Sequence, residues 1–294
     1  MSDMSISAPL TAPVRSAGYW SNVGRRLLRD RTAMAAGGVL LLLVLAAIFA
    51  PIIAPMDPLE GRMINRLKPI GTEGHLLGTD ELGRDMLSRL IWGGRLSLLM
   101  GVTPVVLAFF IGSAIGIVAG YAGGWVNTII MRTVDVFYAF PSVLLAVALS
   151  GALGAGLGNA LLSLTVVFIP PIARVAESVT TRLRTSDFIE AARASGAGAL
   201  TIVRVHVLGN VLGPIFVYAT SLIAVSMILA SGLSFLGLGV RPPNPEWGLM
   251  LNTLRTAIYV QPWVAALPGA MIFMVSISFN MLSDGLRSAM EVRQ

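Results

Sequence analysis

The sequence has no cysteine, two histidines and one lysine, and only 12% of its 294 residues are charged. Without cysteine it holds no disulfide, no thiolate metal site and no thiol nucleophile, and His75 and His206 lie too far apart in sequence to suggest a metal centre. The single lysine, Lys68, follows Leu67, so the glycine–lysine pair that closes a phosphate-binding P-loop occurs nowhere. There is no His-Glu-x-x-His, no Gly-x-Ser-x-Gly and no aspartate pair inside an apolar run, which removes the zinc, serine and aspartyl proteases. The chain is therefore expected to hydrolyse nothing and to carry no cofactor or metal of its own.

What is abundant is apolar surface. Apolar side chains make up 55% of the chain and the mean hydropathy is +0.79, whereas a soluble domain carries about 25% charged residues. This is a bilayer composition. A membrane helix needs ~20 mostly apolar residues, and five charge-free stretches are long enough. The first holds Ala36 to Ala54 and the second Leu96 to Val118. The third, from Asp135 to Arg174, is too long for one span and is divided by the glycine-rich run Gly151 to Gly158, giving helices around Pro141–Ser150 and Asn159–Ala173. The last two give Val211–Ala230 and Trp263–Leu282. The expectation is an all-α polytopic membrane protein with six transmembrane helices.

In this division residues 1–33 form an N-terminal segment, 34–54 the first span, 55–95 an outer loop, 96–283 a five-helix core containing an inner loop at 174–208, and 284–294 a tail. Arginine and lysine on the flanks set the orientation. With both termini inside, 13 basic residues fall on inner segments and eight on outer ones, and six of those eight share the first loop with six acidic residues. The first apolar run exceeds the ~7–15 residues of a signal-peptide core and leaves through Ala50-Pro51 without an Ala-x-Ala cleavage pattern, so it reads as an uncleaved anchor.

Two loops carry more than a connection requires. In the outer one, Leu82, Met86, Leu87, Leu90 and Ile91 recur at helical spacing beside the acid–base pairs Asp80/Arg84 and Asp85/Arg89, the pattern of an amphipathic helix lying along the surface with a solvated stripe. In the inner one, Ser186 stands where an N-cap belongs, Asp187 and Glu190 favour the positive end of a helix dipole, and Gly196 supplies a stop. Ala191, Ala192, Ala194 and Gly196 leave a flat face for close approach, and a second helical run, Ala199 to Leu208, leads into the fifth span. On the second span Gly112, Gly116 and Gly120 repeat every four residues, a stripe for helix packing.

The segment Glu190-Ala191-Ala192, with Gly196 and Leu208 behind it, resembles the cytoplasmic EAA signature of permease subunits of binding-protein-dependent ABC importers. Two positions depart from it: His206 replaces a usual aliphatic residue and Gly209 a usual proline. The blocks His75 to Asp85, Arg132-x-x-Asp135 with Phe140-Pro141, Leu233 to Gly239 with Pro242-Pro243 and Pro245-Glu246-Trp247-Gly248, and Asp284 to Arg287 are similar, in the same order, to the second permease of the dipeptide, oligopeptide and nickel importers. The resemblance implies half of a translocation pathway in a heterodimer with a sister permease. It further implies two cytoplasmic ATPases that bind ATP and magnesium, and an external solute-binding protein. Ser186, Asp187, Glu190, Ala191, Ala192, Gly196 and Leu208 would then form the ATPase-coupling element, while no substrate-contacting residue is assigned. The alternative, a secondary transporter or channel not coupled to ATP, calls for ionisable groups or broken helices near the midplane, and the charge-free spans offer neither.

The orientation is open to a direct test. A reporter active only outside the cytoplasm is expected to be active when fused after Gly71 and silent when fused after Ser195, and the opposite pair overturns the assignment.

Overall fold

The computed structural model describes residues 19–290; the start of the 1–33 segment, with Arg15, and the end of the 284–294 tail, with Arg293, lie outside the described residues. Among the described residues twelve α-helices follow one another: α1 Tyr19–Leu27, α2 Arg31–Ile48, α3 Ala50–Ile53, α4 Met86–Ala122, α5 Gly124–Tyr138, α6 Ser142–Leu153, α7 Leu157–Arg184, α8 Asp187–Ala194, α9 Ala199–Ile202, α10 Leu208–Phe235, α11 Trp247–Thr253 and α12 Pro262–Met290. In place of strands the described residues have isolated bridges, all within the segment before α4. Five helical stretches are long and apolar enough to cross a membrane, and the pair α5/α6, bent by 86°, makes a sixth when counted as one broken span.

The closest seam in the bundle joins α4 to α7. A Cβ on Gly112 would stand 2.9 Å from the Ile169 carbonyl oxygen, one on Gly116 would press on the Ala173 carbonyl and stand 2.6 Å from Ala176 Cβ, and one on Gly120 would stand 2.8 Å from the Glu177 carbonyl. The four-residue glycine repeat is thus the face on which α7 lies. A second joint locks α11 to α4. Glu246 caps α11 by accepting from Gly248 and Leu249 N–H, and also accepts from Ser97 Oγ at 2.9 Å. The buried Trp247 donates its ring N–H to the Leu90 carbonyl at 2.9 Å, and Gly93 and Gly94 make room for the indole. At the other end of the bundle α2 begins at Asp30, whose carboxylate accepts from Thr32 N, Thr32 Oγ1 and Ala33 N. The bond from the Thr32 hydroxyl, the largest cause, holds the Asp30 carboxyl below its usual range.

The segment before α4 differs from the expected surface helix. Residues 79–85 form a turn closed by Asp80, which accepts from Leu82 N and Arg84 N at 2.9 Å, and helix starts only at Met86 as the first turns of a 37-residue α4. Asp80, Arg84, Asp85 and Arg89 are 2 to 5% exposed rather than solvated. Arg84 Nε and Arg89 Nε converge on Asp80 Oδ2 at 2.6 and 3.2 Å, and Arg89 also donates to the Pro58 carbonyl at 2.9 Å. Asp85 caps α4 through Ser88 N and Oγ and faces His75 Nδ1 at 3.1 Å. Gly83, at φ +75°, lets the Arg62 backbone cross directly above it. Acid-before-base spacing is the same for a solvated stripe and a buried knot; what decides is the chain from Asp57 to Arg66 folding over these charges, which helical periodicity does not register. The helix that carries the charge-free run read from 96 thus starts ten residues earlier, at Met86.

Two outcomes follow for stability. Gly116→Val is expected to lower the melting temperature of the detergent-purified protein, because overpacking costs ~1–3 kcal/mol and the obstacle is α7 backbone, whereas Gly209→Ala, facing open space, leaves it unchanged. Arg89→Ala removes one of two guanidinium groups from a buried carboxylate and should cost ~3–5 kcal/mol, read as loss of monodisperse protein in size-exclusion chromatography.

Candidate functional site

α8 lies in the connection between α7 and α10, and its inner side is anchored at three points. Ile189 is fully buried, with Ala192 packed against the same core. The Arg193 guanidinium lies 5.7 Å from the centre of the Tyr121 ring, and Arg184 Nη1 donates to the Tyr121 carbonyl at 3.3 Å, so both approach the end of α4. Phe188 and His206 face each other with ring centres 6.3 Å apart. The helix ends as its sequence implies: Gly196 adopts φ +84°, its N–H donates to the Arg193 carbonyl at 2.9 Å, and Ala197 N–H donates to the Ala192 carbonyl at 3.0 Å. That reciprocal pair is a Schellman closure, which needs a left-handed residue at this place.

Of the residues named from sequence, Asp187, Glu190, Ala191 and Gly196 are exposed, while Ala192 turns inward. The flat outward face is therefore Ala191 and Ala194, flanked by the carboxylates, with Phe188 (45% exposed) and Leu200 (71% exposed) as apolar neighbours. Leu208 packs against the core at the first turn of α10 and is not part of that face. Ser186 occupies the N-cap position of α8 with extended backbone, but its hydroxyl donates to the Leu183 carbonyl at 2.6 Å instead of capping. Only Thr185 and Ser186 separate α7 from α8, and both hydroxyls satisfy the orphan carbonyls of α7, Thr185 by donating to Arg182. The run from Ala199 continues into α10 through a π turn at Val203–Val207, where Asn210 Nδ2 donates to the His206 carbonyl at 2.6 Å. Sequence reasoning did not single out Phe188, Arg193 or Tyr121; an arginine and an aromatic in an otherwise small-residue segment were the available signal.

A second arrangement lies in the broken span. Pro141 has no N–H to continue α5 and disfavours helical backbone at Phe140, so the chain turns through 86°. Asp135, one turn before the break, forms an ion pair with Arg174 of α7, and that guanidinium stacks over Tyr138 at 5.7 Å. The sequence reading placed both residues at the edges of spans; the structure joins them across α5 and α7, one turn before an 86° bend between α5 and α6 that the sequence reading did not expect. Tyr138, Phe137, Phe140 and Pro171 line a cavity of about 390 Å³. Val175, Ser221, Asp284 and Arg287 line another of about 400 Å³, and Tyr218 belongs to both.

Residues 112–293 match the family of the binding-protein-dependent transport system inner membrane component, and residues 18–69 match the N-terminal transmembrane domain of oligopeptide transport permease C. The chain is 41% identical over 272 residues to the glutathione transport system permease protein GsiD of Pectobacterium atrosepticum, spanning 92% of this chain and 90% of the relative. It is 41% identical over 283 residues to the protein of the same name from Escherichia coli O157:H7, spanning 96% and 93%. It is 39% identical over 272 residues to the dipeptide transport system permease protein DppC of Alkalihalophilus pseudofirmus, spanning 92% and 89%. Among solved structures, a chain of the inward-facing MetNI methionine ABC transporter superposes with a TM-score of 0.57 at 22% identity, covering 69% of this chain and 97% of that one, which establishes a shared helical fold. With a family match across the glycine seam, the broken span and α8, and relatives over nearly the full length, the chain belongs to the binding-protein-dependent transport permeases and is a membrane-spanning permease subunit of an ABC importer.

Proposed function

We propose that this subunit forms half of the pathway by which short peptides, glutathione among them, enter the cell, and that α8 is where partner ATPases act on it. The cargo class is supported by relatives named for glutathione and dipeptide transport that are about 40% identical along the chain. The observation that carries the coupling role is the construction of α8: anchored in the core by Ile189, on Tyr121 of α4 by Arg193 and on His206 of the turn leading into α10 by Phe188, it turns Ala191, Ala194, Asp187 and Glu190 outward. Small side chains let a partner approach closely, and the inward anchors carry a displacement to the end of α4 and to the turn that leads into α10. Both termini and α8 face the cytoplasm, a sister permease supplies the other half of the path, and two ATPases hold ATP and magnesium. An external binding protein delivers the solute. Coupling requires that the ATP-bound and ATP-free states of those partners make different contacts with α8.

Gly196 is the discriminating position. Nothing lies within 4 Å of where its side chain would be, yet its φ is +84°, so Gly196→Asp is strained by ~1 kcal/mol or more without a clash. It is expected to leave membrane insertion intact while weakening co-purification of the ATPases or abolishing solute-stimulated ATP hydrolysis. Glu190→Ala should give a milder loss, since a helix-dipole contact is worth ~0.3–1 kcal/mol. Wild-type transport and ATPase binding in Gly196→Asp would remove α8 from the coupling role.

A further inference from the structure

The first span has the length of the hydrocarbon it crosses. α2 has 18 residues, about 27 Å at 1.5 Å per residue against ~30 Å of hydrocarbon, so its two ends lie at the two headgroup layers. Leu41, Leu42, Leu45 and Ile48 are exposed on it, as on a helix that borders lipid tails. Arg31, the first residue of α2, therefore stands at headgroup depth.

Arg31 closes a run of four exposed arginines in seven residues, with Arg25, Arg26 and Arg29 before it. Among the described residues Arg25, Arg29 and Arg31 form no ion pair. Asp30 is the one acidic residue between positions 19 and 34, and its carboxylate is taken up by Thr32 and Ala33 at the start of α2. The apolar side of α1 is already covered: Val23 is buried, and a Cβ on Gly285 of α12 would stand 3.4 Å from Leu27 Cδ1. Asp284 and Arg287 on that part of α12 balance each other, so the four arginines less Asp30 leave the patch strongly positive. Helix stability does not account for the charge. Arg25 and Arg26 suit the last turn of α1, but Arg31 stands at the N-terminal end of α2, where the helix dipole disfavours a cation.

We infer that Arg25, Arg29 and Arg31 form a docking surface for the headgroups of anionic phospholipids in the adjoining leaflet. Each guanidinium offers a phosphate two parallel donors, and a basic cluster of this size directly before a membrane span attracts an anionic surface. Leu28, 67% exposed among the arginines, adds an apolar side chain at the boundary where headgroups give way to acyl chains. Orienting a span requires only positive charge before it; a lipid dock further requires guanidinium groups that are exposed, without an ion pair and level with the phosphates, and these three are all of that. The lipid supplies the counter-charge that the neighbouring protein does not. Since α1 rests on the end of α12, and Met290 of α12 lies 2.7 Å from where a Cβ on Gly213 of α10 would be, headgroups held by the arginines tie that end of both spans to the leaflet surface. The dock is independent of which solute the importer carries.

The test uses the complete importer, purified in an uncharged detergent and titrated with dansyl-labelled phosphatidylglycerol or phosphatidylcholine, binding being read as energy transfer from the protein's tryptophans. At 0.1 M salt the triple variant Arg25→Gln, Arg29→Gln, Arg31→Gln is expected to bind phosphatidylglycerol at least tenfold more weakly than wild type, with phosphatidylcholine unchanged. At 0.5 M salt the difference between the two proteins should shrink severalfold, because exposed charges are screened. The double variant Arg25→Gln, Arg29→Gln keeps Arg26 and Arg31 in front of the span to preserve its orientation, which a reporter after Gly71 checks, and should still lose about fivefold. Wild-type phosphatidylglycerol binding in both variants overturns the dock and leaves the arginines as orienting charge alone. Unchanged lipid binding with loss of the ATPases on co-purification overturns it in favour of a protein contact. Displacement of the labelled lipid by inorganic phosphate at the same concentration overturns it in favour of a simple anion site.

Discussion

In a bilayer two apolar helix faces gain little by leaving lipid tails for one another, so what holds a bundle in one register is van der Waals contact made possible by close backbones. Here that contact is the seam of Gly112, Gly116 and Gly120 against Ile169 to Thr180 of α7. Its position determines others. It sets the height of Arg174 relative to α4, brings Arg184 to the Tyr121 carbonyl and thereby seats α8 under the end of α4. Glu177, whose backbone lies over Gly120, also accepts from Asn127 Nδ2 at 2.7 Å, so α5 is tied to the same seam. The broken span, the ion pair and the presented helix are all referred to one stripe of three hydrogens.

The blocks that resemble the permease family turn out to be joints. Pro245-Glu246-Trp247-Gly248 is a capped helix start whose indole fills the space left by Gly93 and Gly94, and whose Gly248 admits the Ser231 backbone. The stretch from Gly78 to Asp85 is a polar knot built over the first turn of α4. Such residues are constrained by packing and electrostatic satisfaction. The groups that line the two cavities, Tyr138 and Tyr218 among them, are recognised instead by where they stand.

Much of this was legible in the sequence because the relevant physics is local. Charge-free runs marked the spans, the glycine period marked the packing face, and Gly196 marked the end of α8 in the conformation it adopts. What was not legible depends on residues distant in the chain. The burial of Asp80 and Arg89 requires the segment from Asp57 to Arg66 to close over them, and the pairing of Asp135 with Arg174 requires α5 to pack beside α7. Ser186 is an intermediate case: a serine before an acidic turn caps well in isolation, but here the unsatisfied end of α7 lies closer and takes its hydroxyl.

α7 runs from Leu157 to Arg184, which at 1.5 Å per residue is about 42 Å, some 12 Å more than the hydrocarbon it crosses. The excess makes it a lever. Whatever pushes sideways on the end that bears α8 applies a torque about the glycine seam, and the opposite end moves the other way. Pro170 and Pro171 sit near the middle of the rod, where two adjacent missing N–H donors leave the ladder weakest. The two arms can therefore rotate by unequal amounts, and Arg174, one turn from the weak point, travels least of all the charged groups on the rod.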